Sequence, residues 1–179
     1  MVSCYVVRPT ADGAAHEFLQ LRRAKNDFMG GTWQAIYGTS ENNESPVDAV
    51  LRELKEEAGL VPAELYRLDQ VSGFYIHGND TLWHCVPFCA IVNREQLVVL
   101  NDEHDDSRWV HISQASRVFM WKDNRDAIGD IEQYILRSSI AKPFLRIELP
   151  QPIVKKIFAG RGLGARALYQ LGLMVYSKR

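Results

Sequence analysis

Residues 38–60 read GTSENNESPVDAVLRELKEEAGL, and the second half of this stretch sets the fold around it. Ser45 is a good N-cap, Pro46 suits the first helical position, and Asp48 puts a carboxylate at the positive end of the helix dipole. Val47, Val50, Leu51, Leu54 and Ala58 recur at intervals of three and four, which makes one apolar stripe. Gly59 stops the run. The spacing predicts a helix over 45–58. At about 100° per residue, the stripe lies within about 60° of Val47, while Glu53, Glu56 and Glu57 span roughly 100° on its flank. Three acids therefore face a common point beside the core.

A solvated helix face would place a base four residues from each acid. Here Glu53 has Glu56 and Glu57 at those spacings, and Glu57 has no base three or four residues before it. Only Glu56 has a partner, Arg52 at i−4. Each like-charge pair costs about 0.2–0.5 kcal/mol in an isolated helix. A bound divalent cation reverses that sign. Clustered carboxylates with oxygen-only ligation suit Mg²⁺ or Mn²⁺ and not zinc.

Outward from the helix, the chain alternates short strands and helices. SCYVVR (3–8) and EFLQLRR (17–23) read as a hairpin closed by the turn at 10–13, and 33–37 as a short strand running into Gly38. Residues 65–76 and 81–92 read as a second hairpin, with Pro87 demanding an edge position or a bulge. RWVHI (108–112) is a further strand. Ser113 caps a short helix, and 124–138 reads as a longer one that buries Ile128, Ile131, Ile135 and Leu136. The irregular alternation predicts an α/β fold with a mixed sheet between helices.

The length of 179 residues suits one ordinary domain with a core of its own. The net charge is −1, which excludes bulk attraction to polyanions. It is unevenly placed, because the six bases after Glu148 stand without acids and leave 15 bases against 22 acids in residues 1–149. Pro150 and Pro152 mark a boundary, so the expected division is a domain over 1–149 and a basic extension, helical by its apolar spacing, over 150–179. That extension reads as a segment docking on a partner or back on its own chain, and a homodimer is one such arrangement. G-x-G-x-G at 160–164 lacks a leading strand and is a weak phosphate-loop match. Cys4, Cys85 and Cys89 have no zinc or disulfide spacing and read as buried apolar residues in a reducing compartment. No apolar run reaches membrane-spanning length and no leader is legible, so a cytoplasmic protein is expected.

Gly38, Glu44 and the run Arg52-Glu53-Leu54-Lys55-Glu56-Glu57-Ala58-Gly59-Leu60 together resemble the Nudix box, G-x5-E-x7-R-E-U-x-E-E-x-G-U, at every fixed position. The resemblance implies an α/β/α sandwich with a mixed sheet and Mg²⁺-dependent (or Mn²⁺-dependent) hydrolysis of a nucleoside diphosphate linked to another group. It implies that Glu53, Glu56 and Glu57 are metal ligands or the water-activating base, that the Gly38 carbonyl adds a ligand, and that Arg52 and Glu44 orient the acids. Outside the box, GTWQAIYG (31–38), EHDDSRWV (103–110) and WKDNRDAI (121–128) resemble the dihydroneopterin triphosphate pyrophosphatases, also described as dATP pyrophosphohydrolases, over roughly residues 16–137. In that pattern Glu103 supplies a further metal ligand.

Arg22, Arg23 and Trp33 are the candidates for holding substrate. Against this stand solvated bases at a strand end and, for Trp33, Trp83 and Trp121, aromatic residues of the core. Asn43 and Thr39 replace glycines frequent in the box, a change of loop shape and not of ligands. The expected reaction cleaves a nucleoside or pterin triphosphate to monophosphate and pyrophosphate. A dinucleoside polyphosphate or ADP-ribose-type hydrolase and a non-catalytic nucleotide-binding module are the alternatives, the last disfavoured by the intact acids. The expected partner is a small nucleotide or pterin polyphosphate, with no clear nucleic-acid site.

Overall fold

The computed structural model describes residues 1–137 and 139–149; the expected helical extension over 150–179 lies outside them. In chain order the elements are strands β1 (Val2–Pro9), β2 (His16–Arg23), β3 (Trp33–Gln34) and β4 (Ile36–Gly38), helix α1 (Pro46–Ala58), and strands β5 (Glu64–Arg67), β6 (Ser72–Ile76), β7 (Thr81–Ile91) and β8 (His104–His111). Helices α2 (Ile112–Val118) and α3 (Lys122–Asp130) follow, then a π-helical turn Ile131–Leu136, a short helix α4 (Lys142–Leu145) and strand β9 (Arg146–Ile147). Met1–Ile147 forms one compact unit.

The sheet is mixed, as the sequence predicts. Its main path runs β3-β2-β1-β7-β5-β9, with β4 also on β1, β6 on β7 and β8 on β2. Only β1 and β7 run parallel among these pairs. β1 is buried from Val2 to Val7 without alternation, the pattern of a strand covered on both faces. Tyr5 and Val7 join Phe18 in a cluster with Ala115, Phe119, Ala127, Ile128, Ile131 and Ile135 of the C-terminal helices. On the other face, α1 packs on β1 and β4 through Ala49, Val50, Leu54 and Ala58. The result is the α/β sandwich with helices on both faces.

α1 begins and ends where the sequence indicates. Ser45 Oγ accepts the Asp48 N–H at 3.1 Å. Gly59 takes φ 67°, a left-handed conformation, and Leu60 N–H then closes on Leu54 O at 3.3 Å. The three cysteines are free and buried.

Elsewhere the structure corrects the reading. Residues 65–76 are two strands, β5 and β6, and Pro87 sits inside central strand β7, neither at an edge nor at a bulge. Its carbonyl accepts Leu68 N–H, so its missing N–H falls on the side where β7 changes partner from β5, ending at Arg67, to β6, starting at Ser72. No ladder donor is needed there. The strand containing RWVHI starts at His104, four residues early, in pairing with Arg23. His111 and not Ser113 caps α2, its Nδ1 accepting Ser113 N–H. The longer helix starts at Lys122 and its last turn is π-helical, while Leu136 is only partly buried. Trp121, at the cap of α3, is 50% exposed and is no core residue.

Candidate active site

The acidic face of α1 is organised by one cation. Arg52 grips Glu44 with two bonds, Nε to Oε1 at 3.0 Å and Nη2 to Oε2 at 3.1 Å. Nη1 reaches Glu53 Oε1 at 2.8 Å and Glu56 Oε2 at 3.0 Å, and Nη2 also donates to Thr39 O at 3.0 Å. The planar fork of arginine allows this many directed bonds where lysine would not. The bonds to Glu44 hold the guanidinium charged, far above its ordinary range. Glu44 Oε2 also accepts Glu41 N–H at 3.0 Å, which ties the loop before the helix to the same node. Glu56, as the sequence indicates, has Arg52 as its partner; that Arg52 also serves Glu53 and Glu44 is not legible from helical spacing.

Glu53 turns into the fold against β4. A Cβ built on Gly38 would stand 2.2 Å from Glu53 Cγ, Cδ and Oε1. The glycine is therefore needed for close approach, with its backbone forming one wall of the Glu53 carboxyl. Burial raises the pKa of Glu53, and Arg52 only partly offsets that.

Glu57 is buried more deeply, at 3% exposure. Burial first, then the charges of Glu53 and Glu103, push its carboxyl up to about 9. Its Oε2 has no hydrogen-bond partner, and neither does the facing His104 Nε2. His104 itself is held below the ordinary histidine range by burial and then by Arg23.

Glu103 belongs to this group through Arg23, whose Nη1 lies 2.7 Å from Glu103 Oε2 and whose Nη2 binds Asp27. Arg22 makes a different set of contacts. Its Nε meets Asp105 Oδ1 at 2.6 Å, and its Cζ stands 5.5 Å from the Trp33 ring centre. Arg108 covers the same ring at 4.1 Å, with Nε and Nη2 both donating to the buried Gln20 Oε1. The structure thus brings Gly38, Glu44, Arg52, Glu53, Glu56, Glu57 and Glu103 into one region. It places Arg22 and Trp33 in a neighbouring guanidinium–indole stack, and both candidate phosphate arginines are ion-paired with acids. Sequence reasoning missed His104, Asp27, Gln20 and Arg108. For His104 the sole signal was its place beside Glu103.

Among the described residues, no three acidic, histidine or cysteine side chains converge closely enough to hold a metal ion as they stand, since Arg52 draws Glu53 and Glu56 towards itself. The donor set nonetheless fits a hard divalent cation. Glu57 is a buried carboxyl with an unpartnered oxygen, Glu53 lies in a glycine-walled cradle, and all the donors on α1 are oxygens.

The chain is similar to known proteins. The sequence profile of the NUDIX domain matches residues 2–130. The asymmetrical bis(5'-nucleosyl)-tetraphosphatase of Sus scrofa is 29% identical over 132 residues, spanning 71% of this chain and 86% of that protein. A protein of Mycobacterium tuberculosis described as putative 8-oxo-dGTP diphosphatase 3 is 33% identical over 103 residues; the match spans 57% of this chain and 47%, about half, of that protein. Among solved structures, the E. coli dihydroneopterin triphosphate pyrophosphohydrolase superposes with a TM-score of 0.57 at 25% identity, covering 76% of this chain and 96% of that one. The chain belongs to the Nudix family and is a hydrolase of phosphoanhydride bonds. Hydrolases of this family generally use divalent metals. No helix among the described residues is long and apolar enough to cross a membrane.

Arg52 gives a direct test of the node. Arg52→Lys keeps the charge and loses the fork, so thermal unfolding is expected to show a loss of about 1–2 kcal/mol for this partly buried network. Added divalent cation is expected to recover part of the loss, because it takes over compensation of Glu53 and Glu56. An unchanged melting temperature would mean that the Arg52 contacts are not made in solution.

Proposed function

We propose that the protein is a Mg²⁺-dependent pyrophosphohydrolase that cleaves a nucleoside or pterin triphosphate to monophosphate and pyrophosphate. The observation that carries this reading is the buried Glu57 carboxyl, whose Oε2 has no hydrogen-bond partner and which feels the charge of Glu53, itself held against the Gly38 backbone. Such a group destabilises a fold unless a positive charge uses it. Glu53, Glu56 and Glu57 hold the ion, with the Gly38 carbonyl and Glu103 as further ligands, and Mn²⁺ would serve in place of Mg²⁺. When bound, the ion neutralises polyphosphate charge and makes water more acidic.

The remaining work falls to the chain's own groups. Arg52 and Glu44 fix the orientation of the acids before substrate arrives, which lowers the ordering needed at the moment of reaction. Burial gives Glu53 a carboxyl that accepts a proton more readily than an exposed glutamate, as a base drawing a proton from water near neutral pH requires. Arg22, Arg23 and Trp33 form the substrate side, where the phosphates take over the arginines from Asp105, Asp27 and Glu103. Residues 1–149 are the hydrolase domain in this reading, and 150–179 a basic extension that docks on a partner or on the chain itself, a homodimer included. The buried free thiols accord with a cytoplasmic setting.

The triphosphate reading draws on the 25% identity to the dihydroneopterin triphosphate enzyme along nearly all of that chain. A dinucleoside tetraphosphate is the second reading, favoured by the Sus scrofa relative, of which this chain matches 86%. The test is phosphate and pyrophosphate release, with Mg²⁺ and with EDTA, from dihydroneopterin triphosphate, dATP and other triphosphates, diadenosine polyphosphates and ADP-ribose. Metal-dependent pyrophosphate release from triphosphates is the expected result. Turnover confined to dinucleotides or ADP-ribose would replace it with the second class, and no turnover of any substrate would remove the enzymatic reading.

A further inference from the structure

Glu57 Oε2 and His104 Nε2 face each other across 3.8 Å, with side chains 4% and 0% exposed. Neither atom has any other hydrogen-bond partner. Buried polar atoms without partners are rare in native folds, and two that face each other form a pair. A shift of about 0.8 Å, from 3.8 Å to the usual 3.0 Å, brings them within hydrogen-bond distance, bridged by one proton held in common.

The histidine ring is not free to turn away. Its Nδ1 lies 3.3 Å from Asn101 Oδ1, and the same oxygen accepts the Glu103 backbone N–H at 3.2 Å. An atom that accepts an amide N–H is the oxygen of the Asn101 side chain, so the neutral ring carries its hydrogen on Nδ1 and turns Nε2 to Glu57. His104 N–H bonds to Asn101 O at 3.3 Å and closes the turn. This turn sends two neighbouring side chains to different tasks. Glu103 goes to Arg23 at 2.7 Å, and His104 goes inward to Glu57.

We propose that Asn101 and His104 are positioning residues for Glu57. Asn101 fixes the ring, and the ring holds the inner oxygen of the Glu57 carboxyl, so that the carboxyl is presented to a divalent cation in one orientation. This rests on the reading of Glu57 as a cation ligand. A glutamate has several rotatable bonds, and one already held loses less freedom when it binds. A partner that holds a ligand in this way typically accounts for about 10- to 100-fold in metal affinity.

The test measures Mn²⁺ binding to the substrate-free protein by calorimetry or electron paramagnetic resonance, with thermal melting alongside. His104→Phe keeps the ring volume and removes Nε2; the expected loss of Mn²⁺ affinity is about 10- to 100-fold. His104→Gln returns a polar group at the same reach and is expected to restore most of that affinity, which a purely space-filling role would not do. Asn101→Ala leaves His104 in place but unheld, so a smaller loss, about 3- to 10-fold, is expected. This variant decides the matter if His104→Phe does not fold. Glu57→Gln is the reference. If it binds weakly while His104→Phe and Asn101→Ala bind like the wild type, the positioning role is overturned and the reading of Glu57 stands. If Glu57→Gln itself binds like the wild type, Glu57 is no ligand and both fall.

Discussion

Glu57→Gln is expected to lower kcat/KM by about 10²–10⁴-fold and at the same time to raise the melting temperature of the metal-free protein. The two effects have one source. The carboxyl sits buried with no hydrogen bond to Oε2, Glu53 and Glu103 add to its burden, and together these push its pKa up to about 9 from the 4.5 of an ordinary glutamate. Below pH 4.5 both the folded and the unfolded chain hold the proton, and the site causes no penalty. Above it the unfolded chain releases the proton while the folded chain keeps it, so stability falls as pH rises, until the folded carboxyl also ionises near pH 9. At pH 7 the gross penalty is about 3 kcal/mol. A glutamine amide left short of partners returns about 1–2 kcal/mol of that. The net gain of about 1–2 kcal/mol corresponds to a rise of about 2–6 °C for a domain of this size. It should be larger at pH 8 than at pH 6, and divalent cation should stabilise the wild type more than the variant. A melting temperature that falls, or a gain that shrinks with rising pH, would show that the Glu57 carboxyl is already ionised in the metal-free fold. Retained turnover would show that its carboxyl is dispensable.

That conflict between stability and chemistry explains which parts of the molecule the sequence reveals. α1 is legible because every signal for it is local: Ser45 and Gly59 at its ends, the stripe through Leu54, and acids whose spacing has no bland explanation. The mixed sheet is legible from strand-forming runs separated by turn residues. Long-range partnerships are not. The His104 contact with Glu57 joins a strand start to a helix interior, and no periodicity relates the two. Gln20 is the one polar residue in the buried run 18–21 of β2; only the arrival of Arg108 from β8 and of Val118 O from α2 makes it a buried hinge of the Trp33 stack. The place of Pro87 is not legible because the rule against central prolines assumes a neighbour along the full strand, whereas β7 changes neighbour at that position. Arg22 and Arg23 are ion-paired in the structure. Their acids come from Asp27 and from the 103–106 stretch, so their availability to phosphate could not be judged from their own strand.

Gly38→Ala separates the chemistry of the site from the stability of the fold in the opposite way. The added Cβ would lie 2.2 Å from three atoms of the Glu53 side chain, well inside contact distance. The obstacle is the end of a flexible side chain and not backbone, so the fold yields by swinging Glu53 aside. Alanine in a strand also loses less conformational entropy on folding than glycine, by roughly 0.5–1 kcal/mol. The melting temperature is therefore expected to change by less than the equivalent of about 1 kcal/mol. Function is expected to suffer far more. Moving the Glu53 carboxyl out of its cradle breaks its 2.8 Å contact with Arg52 Nη1 and carries it away from the Gly38 backbone. A displacement near 1 Å among catalytic groups costs about 10²-fold in rate, and the loss is expected in kcat/KM, together with weaker Mn²⁺ binding in the absence of substrate. Gly59→Ala is the contrasting case: at φ 67°, with Val99 Cβ 2.9 Å from the new methyl, the strain falls on the backbone at the helix end and on Val99, and stability is what it loses. If Gly38→Ala instead lowers stability and leaves the rate per folded molecule intact, Glu53 does not occupy the Gly38 cradle during turnover, and the glycine serves only the pairing of β4 with β1.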